Sequence, residues 1–161
     1  MTSHNYLLFP ATLLVCLSLA GCNANRTEAA RKDDVKNVMQ LSVQKFDSAK
    51  EIKYPWGWIR WLMSSELDPA ASQTFGIVQI EAGQRNPLHQ HPNCEELLYV
   101  LSGSLENVVG DKRVVTHAGE ILRVPAGIPH QGINNTNEPM RAVISYSSGT
   151  RQMVALEAKT E

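Results

Sequence analysis

From Val38 onward the chain alternates between apolar and polar positions. Met39, Leu41 and Val43 are apolar, and Gln40, Ser42 and Gln44 between them are polar. In the next run Trp56, Trp58, Arg60 and Leu62 fall on one face, and Gly57, Ile59, Trp61 and Met63 on the other. Successive side chains of a strand point to opposite faces, so a period of two predicts strands. Further short apolar runs cover 74–80, 96–101, 105–109, 113–116, 121–124 and 140–146, separated by Gly, Pro, Asn and Asp. Gly110-Asp111, between two Val-rich runs, predicts a hairpin. Many short strands at close spacing predict an all-β sandwich or barrel over residues 38–150. Residues 31–37 read as a helical turn, and residues 151–161 as a loosely ordered tail.

The first 22 residues break this pattern. Leu7 to Ala20 is mostly apolar and runs into Leu19-Ala20-Gly21-Cys22. An apolar core followed by small residues predicts a secretory signal over residues 1–21, not a structural element. The Leu-Ala-Gly-Cys ending resembles a bacterial lipobox. That resemblance implies acylation of Cys22 and a membrane partner through the lipid anchor, although no Lys or Arg precedes the apolar core. Residues 22–37 are polar and suit a flexible linker between membrane and domain. With Cys16 removed and Cys22 lipidated, Cys94 is left without an intramolecular disulfide partner. It reads as a half-buried spare thiol.

Composition narrows the function. With 161 residues the chain has room for one domain with a real core. Apolar residues make up 43% and charged residues 19%, which places most of it among globular chains. A net charge of −1 without a Lys/Arg cluster argues against nucleic acid as partner. No apolar run reaches the ~20 residues needed to span a bilayer. The three tryptophans within 56–61 read as core or interface packing. Arg60 is a candidate for a substrate carboxylate, against the plainer reading of a solvated edge arginine.

The chemistry gathers in His89-Gln-His-Pro-Asn-Cys-Glu-Glu96. His89 and His91 are two residues apart, so on a strand they share a face. Glu96 can return on a neighbouring strand with a hard oxygen. His130, after Pro125-Ala-Gly-Ile-Pro129, can close the set. Three imidazoles and one carboxylate suit a divalent transition metal with one or two positions left open. The alternative is four polar residues at strand ends that hold nothing.

The spacing of these residues resembles the cupin superfamily. Gly83, His89, His91, Glu96 and Gly103 fit its first motif at every gap. Gly119, Pro125, Gly127, His130 and Asn134 fit the second. The flanks, from Trp61-Leu62 to Ser147-Ser148, are similar to small single-domain bacterial cupins. The resemblance implies a single six-to-ten-stranded jelly-roll barrel with His89, His91, Glu96 and His130 as metal ligands. Its register selects Glu96 over Glu95, which would point away. Gly83 and Gly119 are expected at turns with positive φ, and Pro125 and Gly127 at the bend that aims His130.

The cofactor implied is one divalent transition-metal ion: Mn, Fe, Ni, Zn or Cu. Without a twin-Arg pair, export is expected by the general route, with the site filling outside the cytoplasm. Affinity alone then favours Cu²⁺, Ni²⁺ and Zn²⁺, while the carboxylate oxygen keeps Mn²⁺, Fe²⁺ and Ni²⁺ in contention. Two functions fit. One is a metal-dependent oxygenase, decarboxylase or isomerase for a small oxygenated compound or sugar acid. The other is a non-catalytic lipoprotein that binds or senses a small molecule or carbohydrate. Gln79, Gln131, Arg60 and Tyr146 are the candidate substrate contacts. Tyr99 has the wrong strand parity. A homodimer is left open.

Overall fold

The computed structural model describes residues 42–157. The expected signal segment, the lipidated Cys22, the polar linker and the start of the first alternating run lie outside these residues. The described part is built from strands, as the period of two requires. There are eleven: β1 (Glu51–Tyr54), β2 (Gly57–Met63), β3 (Thr74–Ile80), β4 (His89–Gln90), β5 (Glu96–Ser102), β6 (Ser104–Val109), β7 (Lys112–His117), β8 (Ile121–Val124), β9 (His130–Ile133), β10 (Met140–Tyr146) and β11 (Val154–Ala155). This is one more than the upper expected number, because β4 and β11 have only two residues each. A short 3₁₀ turn, Phe46–Ser48, precedes β1. Residues 42–45 form no strand, and Val43 is exposed.

The strands make two antiparallel sheets. The larger has the order β1-β2-β3-β10-β5-β8, and the smaller β11-β4-β9-β6-β7. Inward positions of the larger sheet alternate in sequence. Val78 and Ile80 of β3, Leu98 and Val100 of β5, and Met140, Ala142 and Ile144 of β10 form the core with Leu105 of β6. Burying each large one of these contributes about 1.5–3 kcal/mol. The registers put Ala142 opposite both Val78 and Val100, so inward residues stack in rows across the sheet. Gly76 faces inward where a Cβ would lie 2.8 Å from the Trp61 ring, so its missing side chain makes room for the indole. Gly110-Asp111 turns the β6–β7 hairpin as expected.

The expected loose tail is corrected over its first part. Val154 and Ala155 pair with Gln90 and His89 of β4. Pairing of two residues leaves no period in the sequence, so alternation could not reveal it.

Asn134 closes the motif loop and is fully buried. Its amide donates to the carbonyls of Ile80 at 3.0 Å and Glu138 at 2.8 Å, and its Oδ1 accepts from the backbone and hydroxyl of Thr136. Asn134→Ala leaves those groups unpaired away from water. We expect a loss of about 2 kcal/mol in urea unfolding. An unchanged midpoint would contradict this role.

Candidate metal centre

The site lies between the two sheets. His89 begins β4 and sits opposite His130, the first residue of β9. His91 follows β4 directly. Glu96 begins β5 in the other sheet, between Val124 of β8 and Tyr146 of β10. The smaller sheet thus brings three imidazoles and the larger one a carboxylate. All four residues are buried, and their ligand-capable atoms lie within 4.8 Å of one another. Gly127, at a φ of +73°, donates its backbone N–H to the His91 carbonyl at 2.8 Å. That left-handed turn is inexpensive for glycine alone, and it ties the bend before His130 to the end of β4.

Each histidine is oriented by its outer nitrogen. His89 Nδ1 meets the Pro87 carbonyl at 2.8 Å, His130 Nδ1 the Ile128 carbonyl at 2.9 Å, and His91 Nδ1 the Gln152 carbonyl at 2.6 Å. A carbonyl only accepts, so each Nδ1 carries a proton, and in a neutral ring Nε2 then presents a lone pair to the centre; His130 Nε2 lies 3.0 Å from Glu96 Oε2, and without an ion a proton bridges the two. His91 Nε2 is buried without a hydrogen-bond partner. Its nearest polar neighbour is Glu96 Oε2 at 3.3 Å, which is also an acceptor. Lone pairs facing a buried carboxylate are costly unless a cation sits among them. The donor set therefore fits a divalent ion.

The titration behaviour has the same origin. Burial, with the nearby His130, lowers His89 to about 4. Burial alone would raise Glu96, but the hydrogen bond to His130 and the close His91 ring outweigh it and hold the carboxyl at about 2. His130, 3.0 Å from Glu96 Oε2, is raised: that carboxylate outweighs the opposing effect of burial. Tyr146 is raised well above the ordinary phenol range by burial and by the Glu96 charge.

A cavity of about 120 Å³ opens beside the histidines. Its apolar wall includes Trp61, Ile59 and Leu98, and its polar groups include Asn107, Gln131 and Arg151. Of the candidate contacts, Tyr146 and Gln131 line it. Tyr146 packs edge-on against His91, with ring centres 4.8 Å apart. Gln131 donates its amide to the Asn86 carbonyl at 2.7 Å.

Arg60 and Gln79 are corrected. Arg60 lies on the outer face of β2, paired with Glu51 at 2.9 Å and stacked over Phe46 at 4.5 Å. Gln79 is outward on β3, bonded to Glu81 and Arg141. Trp56 sits in the turn before β2, so it does not share the face of Trp58 and Arg60. Trp56 and Trp61 pack on the core, whereas Trp58 lies under Arg141 on the outside. Glu95 points away and pairs with Arg123 at 2.7 Å. Tyr99 faces outward, as its parity required. Cys94 is fully buried in the core rather than half-buried, and burial raises its thiol. Sequence reasoning missed Arg151 and the Gln152 carbonyl, which lie in the segment read as a tail.

Comparison with known proteins agrees with this architecture. Residues 76–146 match the Cupin_2 family model, described as a cupin domain. The chain is 27% identical over 104 residues to Protein SchB of Streptomyces halstedii, covering 65% of this chain and 75% of SchB. Among solved structures it is similar to oxalate decarboxylase of Lactobacillus farciminis in a formate complex. The TM-score is 0.64 at 22% identity, over 68% of this chain and 34% of that one. It is also similar to Bacillus subtilis oxalate decarboxylase, whose Mn(II) centres have been studied. There the TM-score is 0.62 at 23% identity, over 66% of this chain and 30% of that one. The chain thus spans about a third of the decarboxylases it resembles. The all-β, two-sheet fold is that of a cupin jelly roll, and the domain match supports the cupin superfamily for this stretch.

Proposed function

We propose that this protein acts at a single divalent transition-metal ion, held by His89, His91, Glu96 and His130, on a small oxygenated organic compound or sugar acid. The reaction is of the oxygenase, decarboxylase or isomerase type. The observation that carries this reading is the set of three imidazoles, each oriented through Nδ1, whose inward nitrogens converge with one buried carboxylate. A bound ion would supply a Lewis acid that polarises substrate oxygens. The rest is work for the protein's own groups. Apolar side chains exclude water from the cavity. Gln131, its amide committed to Asn86, orients a ligand. Tyr146 keeps its proton and can donate a hydrogen bond. The Mn(II) centres of the decarboxylase with the same fold support Mn²⁺ among the candidate ions.

One observation favours the non-catalytic alternative, a binding or sensing lipoprotein. Among the described residues that line the cavity, Glu96 is the one carboxylate, and the Tyr146 phenol is held protonated. A free general base is thus not evident. Elemental analysis of protein purified from its native envelope tests the metal. Incubating that protein with a panel of small acids and sugar acids, with and without oxygen, tests turnover. A full metal complement without turnover would select the binding reading, and absence of metal would overturn the metal-dependent one.

The envelope location is proposed on the Leu19-Ala20-Gly21-Cys22 run. Cys22→Ser should release the protein into soluble fractions or block its processing. Equal partitioning of mutant and wild type would remove the lipid anchor from the proposal.

A further inference from the structure

Most arginines on this domain are spoken for. Arg60 pairs with Glu51, Arg113 with Glu106 and Arg123 with Glu95. Arg141 donates to Gln79. Arg151 differs. Its guanidinium lies 4.8 Å over the Trp61 ring and 5.0 Å over the Tyr146 ring, and among the described residues no carboxylate pairs with it. It also sits 3.5 Å from His91 Nδ1. That nitrogen already donates to the Gln152 carbonyl, so it offers Arg151 no lone pair. The two aromatic rings hold the guanidinium in place without taking up its N–H groups as a carboxylate would.

The position is firmly built. Gln152 donates its backbone N–H to Asn93 Oδ1 at 2.9 Å, and Asn93 Nδ2 donates to the Thr150 carbonyl at 2.8 Å. β11 then ties the segment to β4. Arg151 and Trp61 line the cavity and also a second pocket, which Ser64, Ser65 and Glu66 share. Arg151 thus borders both pockets and stands beside the histidine cluster.

We infer that Arg151 determines specificity, and that the ligand is a small organic acid whose carboxylate is held by Arg151 while a neighbouring oxygen faces the His–Glu cluster. A planar fork with free donors beside an apolar wall recognises a carboxylate in two-point fashion. A neutral hydroxy compound would leave those donors unpaired, which disfavours it. The inference rests on the metal-dependent reading above and names the substrate class for that site. It also moves the role first sought in Arg60 to the other face of the sheet.

The test uses the full chain loaded with Mn²⁺ and calorimetry with glycolate and its neutral counterpart glycolamide. Wild type should prefer glycolate by at least about tenfold. Arg151→Gln should bring that preference close to one, leaving glycolamide binding and Mn²⁺ affinity within about threefold of wild type. Arg151→Lys should retain part of the preference, since it keeps the charge and loses the fork. An undiminished preference in Arg151→Gln overturns the inference. So does an equal loss of both probes or of the metal, which would make Arg151 a structural clamp. Wild type that holds Mn²⁺ but binds none of formate, glycolate and malonate overturns it as well, and leaves the metal reading standing. Wild type that takes up neither Mn²⁺, Ni²⁺ nor Zn²⁺ overturns the metal reading first, and the inference with it.

Discussion

Glu96→Gln should weaken metal binding by at least about a hundredfold, ~2.7 kcal/mol, while Glu95→Gln leaves it nearly unchanged. The two residues are adjacent and chemically alike, so the contrast isolates geometry. Glu96 is buried with Oε2 3.0 Å from His130 Nε2 and 3.3 Å from His91 Nε2. Glu95 is on the opposite face, in a surface pair with Arg123. Glutamine keeps the volume of glutamate but removes the charge that offsets a dication among neutral imidazoles. Changing even an outer hydrogen-bond partner of a ligand typically costs ten- to a hundredfold, so loss of a direct ligand belongs at or beyond the top of that range. An exposed carboxylate on the far side of the sheet is screened by solvent and adds little. Metal titrations of both variants in one buffer, with circular dichroism to verify folding, decide it. Equal losses would mean that both carboxylates reach the ion. A loss in the Glu95 variant alone would invert the register.

That register was legible because a strand has only two faces. Thr74–Ile80, Ile121–Val124 and Met140–Tyr146 form strands with the bounds their apolar runs predict. Tyr146 falls inward because it lies opposite Glu96 on the neighbouring strand. The same parity excludes Gln79, which alternates with the buried Val78 and Ile80. Counting outward from those core residues would have removed it from the candidates. Arg60 lies outside the site for a different reason. Trp56 belongs to the turn between β1 and β2, so the face that alternation gives it with Trp58 and Arg60 does not continue into β2. The pairing of Ile59 with Val78 shows which side of β2 meets the core.

Other parts of the site left no local signal. β1 reads Glu-Ile-Lys-Tyr and lies at a sheet edge, so one face is not selected for burial. β4 and β11 are too short to show a period. His89 and His91 were found through their spacing, but the group that orients His91 is a backbone carbonyl 61 residues away. A carbonyl is present at every position, so no residue type announces this role. Arg151 reaches the cavity only because two residues beyond it pair with β4. Long-range pairing placed it there, and alternation along the sequence cannot report that.

Metal affinity should rise steeply with pH. The ion and the proton compete for the same inward lone pairs. His130 is raised above the ordinary imidazole value of 6.5: burial opposes this, but the facing Glu96 carboxylate outweighs it, so the proton that competes with the ion is held to higher pH than on a free imidazole. His89, held at about 4, already offers a free Nε2 near neutrality and releases none there. Below the His130 pKa, the competition at that residue should cost about tenfold in affinity per pH unit. The metal-free protein should respond with mixed signs. The raised His130 contributes stability that is present below 6.5 and is lost as pH rises through its folded value. The lowered His89 contributes stability that is present above 6.5 and is lost as pH falls toward 4. Glu96 does the same between 4.5 and about 2. Thermal stabilisation by added metal should therefore grow as pH rises through the folded-state transition of His130, which then no longer helps the metal-free state and no longer resists the ion. Calorimetric titrations with Mn²⁺ in non-coordinating buffers of different ionisation enthalpy measure both the affinity and the protons released. A flat affinity profile with no proton release would show that the ion binds without displacing the proton between His130 and Glu96, and would place it outside this cluster.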